Sequence, residues 1–244
     1  MTGRRSGEAG RRPCMLSEVE TMDWKLIIEA AAKFLAGFVL LAALLFIPAG
    51  TLSWWNAWLL LGILFLPILC VGAVMIRKNP ELLRKRLSAK EEQAEQKDVV
   101  RYSGLLFLAA FILAGLNRRF QWIVLPDWIS WTAAVIFLLG YALYAEVLRE
   151  NTYLSRTVEV QENQKVIDTG AYGIVRHPMY LSTVILFLAM PLVLGSLISF
   201  LVMLLYLPLI AKRIRNEEQV LEEGLEGYAA YKQKVKYKVL PFIW

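Results

Sequence analysis

The sequence predicts an all-α, multi-pass integral membrane protein. It should have about four full transmembrane helices, a C-terminal membrane hairpin of two helices and a cytosolic C-terminal helix. Of its 244 residues, 57% are hydrophobic, which exceeds the apolar share of ordinary soluble domains. The apolar residues form runs that approach the roughly 20 residues needed to cross about 30 Å of hydrocarbon. These runs do not alternate with polar residues, as the strands of a membrane barrel do. They cover residues 34–47, 52–76, 105–116, 128–148 and 178–211.

The first 23 residues are polar and rich in arginine, and we predict a disordered basic tail there. They resemble the charged start of a signal peptide, but no short apolar core with a small-residue cleavage site follows. The segment after Trp24 is therefore predicted to be a retained first span. Cys14 and Cys70 have no partners at metal or redox spacing, so neither a metal site nor a disulfide is predicted.

The positive charges predict the orientation of the spans. Of the 27 lysines and arginines, 24 fall within residues 1–25, 77–101, 149–176 and 212–238. Because such residues concentrate in cytoplasmic loops, both termini and the two large basic loops should face the cytosol of a bacterial inner membrane or the endoplasmic reticulum. This distribution and attraction to anionic headgroups explain the net charge of +6. No nucleic-acid partner is predicted.

The last apolar run is too long for one crossing. As a single helix, its 34 residues would extend about 50 Å at 1.5 Å per residue. Residues 191–196, Pro-Leu-Val-Leu-Gly-Ser, supply a break near its middle. We therefore predict a helical hairpin over residues 178–211 that returns to its starting side. The predicted organisation is an N-terminal membrane region, residues 24–150, on the lipid and substrate side, and a functional region, residues 151–244.

Two acidic residues interrupt an apolar helical stripe after the hairpin. The stripe runs at helical spacing through Leu207, Ile210, Ile214, Leu221 and Leu225. Between Ile214 and Leu221, the inward position falls on Glu217 or Glu218. A charge buried there needs a partner. Arg213 lies four residues before Glu217 on the same face. The hairpin should bring this pair beside Arg176 and His177. A solvated surface salt bridge remains the alternative for the pair, and an interfacial residue is the alternative for His177.

Five short motifs occur in order between residues 151 and 244. They are N-T-Y-L-S, Q-E-N-Q-K-V-I-D-T-G-A-Y, R-H-P-M-Y, R-x-x-x-E-E and a closing Y-K-x-K-V…L-P-F-I. Arranged around a hairpin, they resemble the isoprenylcysteine carboxyl methyltransferase family and related membrane phospholipid methyltransferases. The first 100 residues resemble the family only in hydropathy.

The resemblance implies a membrane enzyme that binds S-adenosyl-L-methionine in a cytosol-facing pocket. Its methyl acceptor would be a lipidic or prenylated substrate from the bilayer, either a small molecule or a protein C-terminus. Carboxylate O-methylation of the isoprenylcysteine type is the leading expectation. The implied substrate-orienting residue is Arg213, with Arg176 as a second candidate. The implied cofactor residues are Gln161, Lys165, Val166, Ile167, Tyr172, His177, Pro178, Met179, Tyr180, Glu217 and Glu218.

The chemistry of the residues fits this implication. A carboxylate suits the cationic parts of the cofactor, and aromatic rings with Met179 suit its adenine and sulfonium. An acceptor carboxylate is already ionised at neutral pH, so methyl transfer needs positioning more than a base. Phospholipid N-methylation and an NADPH-dependent sterol-reductase-like activity remain the enzymatic alternatives. A transporter is disfavoured, since the ionisable residues cluster at one edge and no internal repeat is found.

Overall fold

The structure is a computed structural model that describes residues 24–78, 80, 83–84, 87, 94–151, 153 and 164–244. The predicted N-terminal tail of residues 1–23 lies outside the described residues. The described chain is helical, with one short 3₁₀ helix at Gly170–Gly173. The α-helices are α1 (Trp24–Ala49), α2 (Trp55–Lys78), α3 (Ala94–Phe120), α4 (Asp127–Glu150), α5 (Pro178–Val193), α6 (Leu197–Met203), α7 (Tyr206–Gly224) and α8 (Tyr228–Lys234).

Five helical stretches of the described chain are long and apolar enough to cross a membrane. They are Trp24–Ala49, Trp55–Arg77, Lys97–Phe120, Asp127–Glu150 and Leu197–Gly224. Helix α5 has 16 residues and extends only about 24 Å. Four full-length helices thus precede a hairpin, which consists of the short helix α5 and the stretch Leu197–Gly224. The predicted fold class is confirmed.

The core lies where α1, α2, α4 and α5 meet. Leu45, Leu60, Phe137 and Val193, one from each helix, are completely buried there. Helix α4 packs against α5 so closely that a Cβ added at Gly140 would lie 3.0 Å from Ile185. Large apolar side chains cover much of the outer surface, as expected for helices that face lipid. This packing fixes the position of α5.

The hairpin turn follows α5 directly. The helix continues through Pro191 to Val193. The break predicted within residues 191–196 therefore lies in the second half of that segment, after Val193. Gly195 has a φ of +71°, a conformation that favours glycine. The Ser196 hydroxyl oxygen then caps α6 by accepting a hydrogen bond from the Ser199 backbone N–H, 3.3 Å away. The chain is thereby reversed.

The returning arm carries the chain back to the start of α5. Helix α7 begins in the apolar part of this arm and runs without a break into its charged part, passing residue 211 and ending at Gly224. Arg213 on α7 consequently reaches Tyr180 in the first turn of α5, with 3.0 Å between its Nε and the Tyr180 hydroxyl. The two polar motifs predicted to meet therefore do meet at one end of the bundle.

Candidate active site

A cavity opens at the end of the bundle where α4 ends and α5 begins. Its walls are the segment after residue 164, the first turn of α5, one face of α7, and α8. The lining residues are Asn151, Tyr153, Gln164, Lys165, Val166, Ile167, Tyr172, Arg176, His177, Met179, Tyr180, Arg213, Glu217, Val220, Leu221, Leu225, Tyr228 and Tyr231. Ionisable, aromatic and aliphatic side chains thus surround one space.

Most of the residues predicted for the site border this cavity. They are Lys165, Val166, Ile167, Tyr172, Arg176, His177, Met179, Tyr180, Arg213 and Glu217. Pro178 and Glu218 do not line it. Pro178 is the buried first residue of α5, where its missing N–H leaves no helical hydrogen bond unmade. Gln161 lies outside the described residues.

A tyrosine hydroxyl joins the predicted arginine to the predicted carboxylate. The Tyr180 hydroxyl accepts a hydrogen bond from Arg213 Nε at 3.0 Å and donates one to Glu217 Oε2. His177 Nδ1 lies 3.9 Å from the other oxygen of Glu217. The sequence predicted that Arg213 and Glu217 share a face of α7. The structure adds that α5 inserts Tyr180 between them, a contact that helical spacing within α7 could not reveal.

The neighbouring carboxylate, Glu218, faces the protein interior. Its side chain is 5% exposed and receives Arg176 Nε at 2.7 Å, His177 Nε2 at 3.2 Å and Lys238 Nζ at 2.8 Å. Adjacent helical residues point about 100° apart, and of the two glutamates Glu217 lines the cavity whereas Glu218 does not. The sequence left open which of the two glutamates occupies the inward position. In the structure, Glu217 borders the cavity and Glu218 anchors the wall of the cavity.

The segment after α8 is tied to the same wall. Arg176 Nη1 donates to the carbonyl oxygens of Val235 and Lys236, at 2.7 and 2.9 Å. The backbone N–H of His177 donates to the carbonyl of Lys238 at 2.8 Å. Arg176 therefore directs both Nε and Nη1 at protein partners. The sequence could not show that the segment after α8 would supply the acceptors for Nη1.

Tyr172 is held from both ends. Asn151 Nδ2 donates to its hydroxyl at 3.0 Å, and the Tyr231 hydroxyl donates to its backbone carbonyl at 2.8 Å. Burial raises the pKa of Tyr172 to about 12, so the phenol stays neutral. Asn151 and Tyr231 were not among the predicted site residues, although both lie in the matched motifs. Their position in these motifs was the sequence signal that could have identified them.

The 3₁₀ helix depends on one glycine conformation. Gly170 has a φ of +49°, and a Cβ added there would lie 2.3 Å from Glu150 Oε1. The same carboxylate accepts the Thr169 hydroxyl at 2.8 Å and the Ala171 N–H at 3.3 Å. The end of α4 thus fixes the turn that presents Tyr172 to the cavity.

Tyr228 carries a buried hydroxyl that has no hydrogen-bond partner in the part of the chain that the structure describes. The residue is 4% exposed and lines the cavity. Burial, with Glu218 close by, raises the pKa of this phenol, which keeps it a neutral donor. A buried polar group without a partner destabilises the protein. Tyr228 thus brings a donor without a described partner to the wall of the cavity.

We expect Tyr228→Phe to stabilise the ligand-free protein. Removing an unsatisfied buried hydroxyl should raise the free energy of unfolding by about 1 kcal/mol, measured by thermal unfolding in detergent. Tyr231→Phe makes the same chemical change three residues away but removes a made hydrogen bond. It should lower stability by about 1 kcal/mol. Two substitutions that destabilise equally would show that Tyr228 has a partner.

Three comparisons with known proteins bear on this site. The model of the isoprenylcysteine carboxyl methyltransferase (ICMT) family matches residues 131–223. A Delta(14)-sterol reductase of Mus musculus is 29% identical over 91 residues, which are 36% of this chain and 22% of that protein. The chain therefore spans less than a quarter of the length of this curated relative.

A solved structure of the eukaryotic intramembrane Ras methyltransferase ICMT has the same fold. It aligns with a TM-score of 0.54 over 88% of this chain and 77% of that one, at 18% sequence identity. The predicted resemblance is confirmed, and the candidate cavity draws most of its wall from the family-matched region and the segment directly after it. The chain is thus an integral membrane protein with an ICMT-like fold, and its residues 131–223 match the model of the isoprenylcysteine carboxyl methyltransferase family.

Proposed function

We propose that this protein is a membrane-embedded, S-adenosylmethionine-dependent methyltransferase that methylates the carboxylate of an isoprenylcysteine-type substrate. The observation that carries the proposal is the Tyr180 hydroxyl, which links Arg213 to Glu217 on the wall of the cavity. A cation and an anion are thereby held side by side at the point where α5 enters the apolar bundle. By the positive-inside rule, this end and both termini face the cytosol.

The cavity's side chains fit the proposed cofactor. Glu217 offers an anion to the amino group and sulfonium of the cofactor, and Lys165 offers a cation to the carboxylate of the cofactor. The rings of Tyr172 and Tyr180 supply faces that favour cationic and aromatic groups. Tyr228 adds to the cavity wall a hydroxyl that has no hydrogen-bond partner among the described residues and that suits a ligand acceptor atom. This set matches a molecule that carries both charges and an aromatic base.

The chain's contribution to the reaction is positioning. When bound, S-adenosylmethionine supplies an electrophilic methyl group. Arg213 would hold the acceptor carboxylate, because guanidinium binds carboxylate in a defined plane. Tyr180 orients Arg213 through Nε. The acceptor carboxylate is ionised at neutral pH, so no side chain need remove a proton, and alignment of the reacting atoms supplies the rate enhancement.

Two other activities are the alternatives. Related phospholipid methyltransferases would transfer the same group to an amine, and the cavity's lining does not by itself distinguish the acceptors. The sterol reductase relative favours an NADPH enzyme over the stretch that it matches. Against that activity, Glu217 borders the cavity and Arg176 is paired with Glu218, which leaves few cations for a 2′-phosphate.

We expect Glu217→Gln to lower the affinity for S-adenosylhomocysteine by roughly 10- to 100-fold, because a hydrogen bond to a charged group contributes about 1.5–3 kcal/mol. Isothermal titration of the detergent-purified protein measures this. Glu222→Gln is the matched control. It removes an exposed carboxylate from the same helix, where Glu222 pairs with Lys232 away from the cavity. Its affinity should equal that of the wild type.

The same preparation separates the three activities. Folded wild-type protein that binds no S-adenosylhomocysteine, while NADPH raises its unfolding temperature, would replace the proposal by a reductase. Transfer of a labelled methyl group to a farnesylated cysteine with a free carboxylate is the expected turnover. Transfer to phosphatidylethanolamine in its place would establish N-methylation.

A further inference from the structure

A second polar pocket lies at the other end of the bundle. Helix α4 runs from one pocket to the other. Its first residue, Asp127, borders the second pocket, and Asn151, directly after its last residue, borders the candidate active site. The pocket lies among the α1–α2 connection, the α3–α4 connection, the adjoining helix ends and the hairpin turn. Its lining includes Trp54, Asn56, Asn117, Arg118, Asp127 and Gly195. The proposed methyltransferase activity makes no use of it.

Side-chain amides hold this pocket in one shape. Asn117 is 5% exposed, and its side chain both donates to the carbonyl of Ile123 at 2.9 Å and accepts from the N–H of Ile123 at 3.1 Å. Asn56 donates to the Ser130 hydroxyl at 2.9 Å and to the carbonyl of Val193 at 3.1 Å. The α3–α4 connection and the hairpin turn are therefore fixed before any ligand binds, which lowers the entropy lost on binding.

Two opposite charges border the pocket without pairing with each other. Arg118 and Asp127 are both exposed, and no ion pair between these two described residues is formed. Arg118 makes one long contact, 3.5 Å from Nη2 to the carbonyl of Ser53. Each charge suits the end of the helix that carries it, but a helix dipole leaves the guanidinium donors and the carboxylate acceptors available. A ligand with both charges would satisfy both.

The residues around the pocket place it at the level of lipid headgroups. Phe120 at the end of α3 is 57% exposed, and Trp122 and Val124 in the α3–α4 connection are 50% and 69% exposed. Trp55 stacks on Trp131, with 5.2 Å between the ring centroids. Tryptophan and exposed apolar residues at a helix connection are typical of the membrane–water interface. A ligand at this depth carries a polar head and apolar chains.

We propose that this pocket binds the headgroup of a zwitterionic phospholipid in the leaflet opposite the candidate active site, with the phosphate on Arg118 and the ammonium on Asp127. Arginine donors match phosphate oxygens, and the neighbouring Trp55 ring favours an ammonium. An anionic lipid would satisfy Arg118 but leave Asp127 facing a negative charge. The site therefore selects for a zwitterion.

Native mass spectrometry of the full chain in detergent tests this with phosphatidylethanolamine and phosphatidylglycerol. We expect the wild type to retain phosphatidylethanolamine at least five-fold more than phosphatidylglycerol. Asp127→Asn should remove the preference, and Arg118→Gln should reduce retention of both lipids. Arg119→Gln is the matched control, because Arg119 lies over the Phe120 ring and beside Gly50 and does not line the pocket.

Free phosphoethanolamine separates a lipid site from a site for the headgroup alone. It should fail to displace the lipid at concentrations at which added phosphatidylethanolamine does so. Displacement by both with equal strength would assign the site to a soluble zwitterion. Equal retention of the two lipids by the wild type, or an Arg119→Gln effect as large as that of Arg118→Gln, would overturn the proposal. None of these outcomes depends on binding of S-adenosylhomocysteine.

Discussion

Replacing Glu218 by alanine is expected to lower the free energy of unfolding by about 3–5 kcal/mol, the usual result of removing one partner from a buried ion pair. Glu218 receives Arg176, His177 and Lys238 within 3.2 Å while its side chain is 5% exposed. Without it, the 4%-exposed guanidinium of Arg176 keeps its charge but loses its only carboxylate among the described residues. The segment around Lys238 would also lose one of its attachments to the site.

The measurement is thermal unfolding in one detergent, and the control is Glu222→Ala. Glu222 lies one helical turn further along α7 and forms an exposed pair with Lys232, which contributes about 0–1 kcal/mol. Should Glu218→Ala yield no folded protein, Glu218→Gln retains acceptor atoms and should show an intermediate loss. Losses of equal size for Glu218→Ala and Glu222→Ala would show that Glu218 does not anchor the wall.

Gly115→Ala is expected to destabilise the protein by about 1–3 kcal/mol, as overpacking does in a close-packed interior. A Cβ at this position would lie 2.7 Å from the carbonyl oxygen of Leu45, 2.9 Å from the Pro48 side chain and 3.1 Å from the backbone nitrogen of Ala49. Two of these atoms belong to the backbone of α1, so α1 and α3 must separate. Small residues permit such close approach of membrane helices.

Gly104→Ala is the matched control on the same helix. No atom lies within 4 Å of a Cβ built there, and alanine favours a helix over glycine by up to about 1 kcal/mol. Its unfolding temperature should stay constant or rise, whereas that of Gly115→Ala should fall. If both variants unfold at the same temperature as the wild type, α1 and α3 do not meet at Gly115.

The spans and their number follow directly from the sequence, because crossing a bilayer imposes a length and an apolar composition that few other folds require. The hairpin could also be predicted. A predominantly apolar run of 34 residues exceeds one crossing, and Gly195 marks the turn. Residues 170–180 and 213–217 could therefore be placed at one end of the bundle, and ten of the predicted site residues border one cavity there.

Which of Glu217 and Glu218 borders the cavity, and which is buried in its wall, could not be predicted. Both lie where the apolar stripe of α7 is interrupted, and one helix alone cannot show which carboxylate faces the cavity. Packing against α5 and the closing segment decides it, because Arg176, His177 and Lys238 approach from the side of Glu218. Residues that meet across 37 to 42 positions of sequence leave no periodic signal.

Taken alone, the sequence determined the membrane class, the hairpin and the set of residues gathered at one end, because hydrocarbon thickness, helix geometry and motif order constrain these locally. Tertiary structure decided the partners: Tyr180 between Arg213 and Glu217, Glu218 inside the wall, and Asn151 on Tyr172. Hydrogen bonds are made at about 3 Å, and only the packed helices bring distant side chains within that distance.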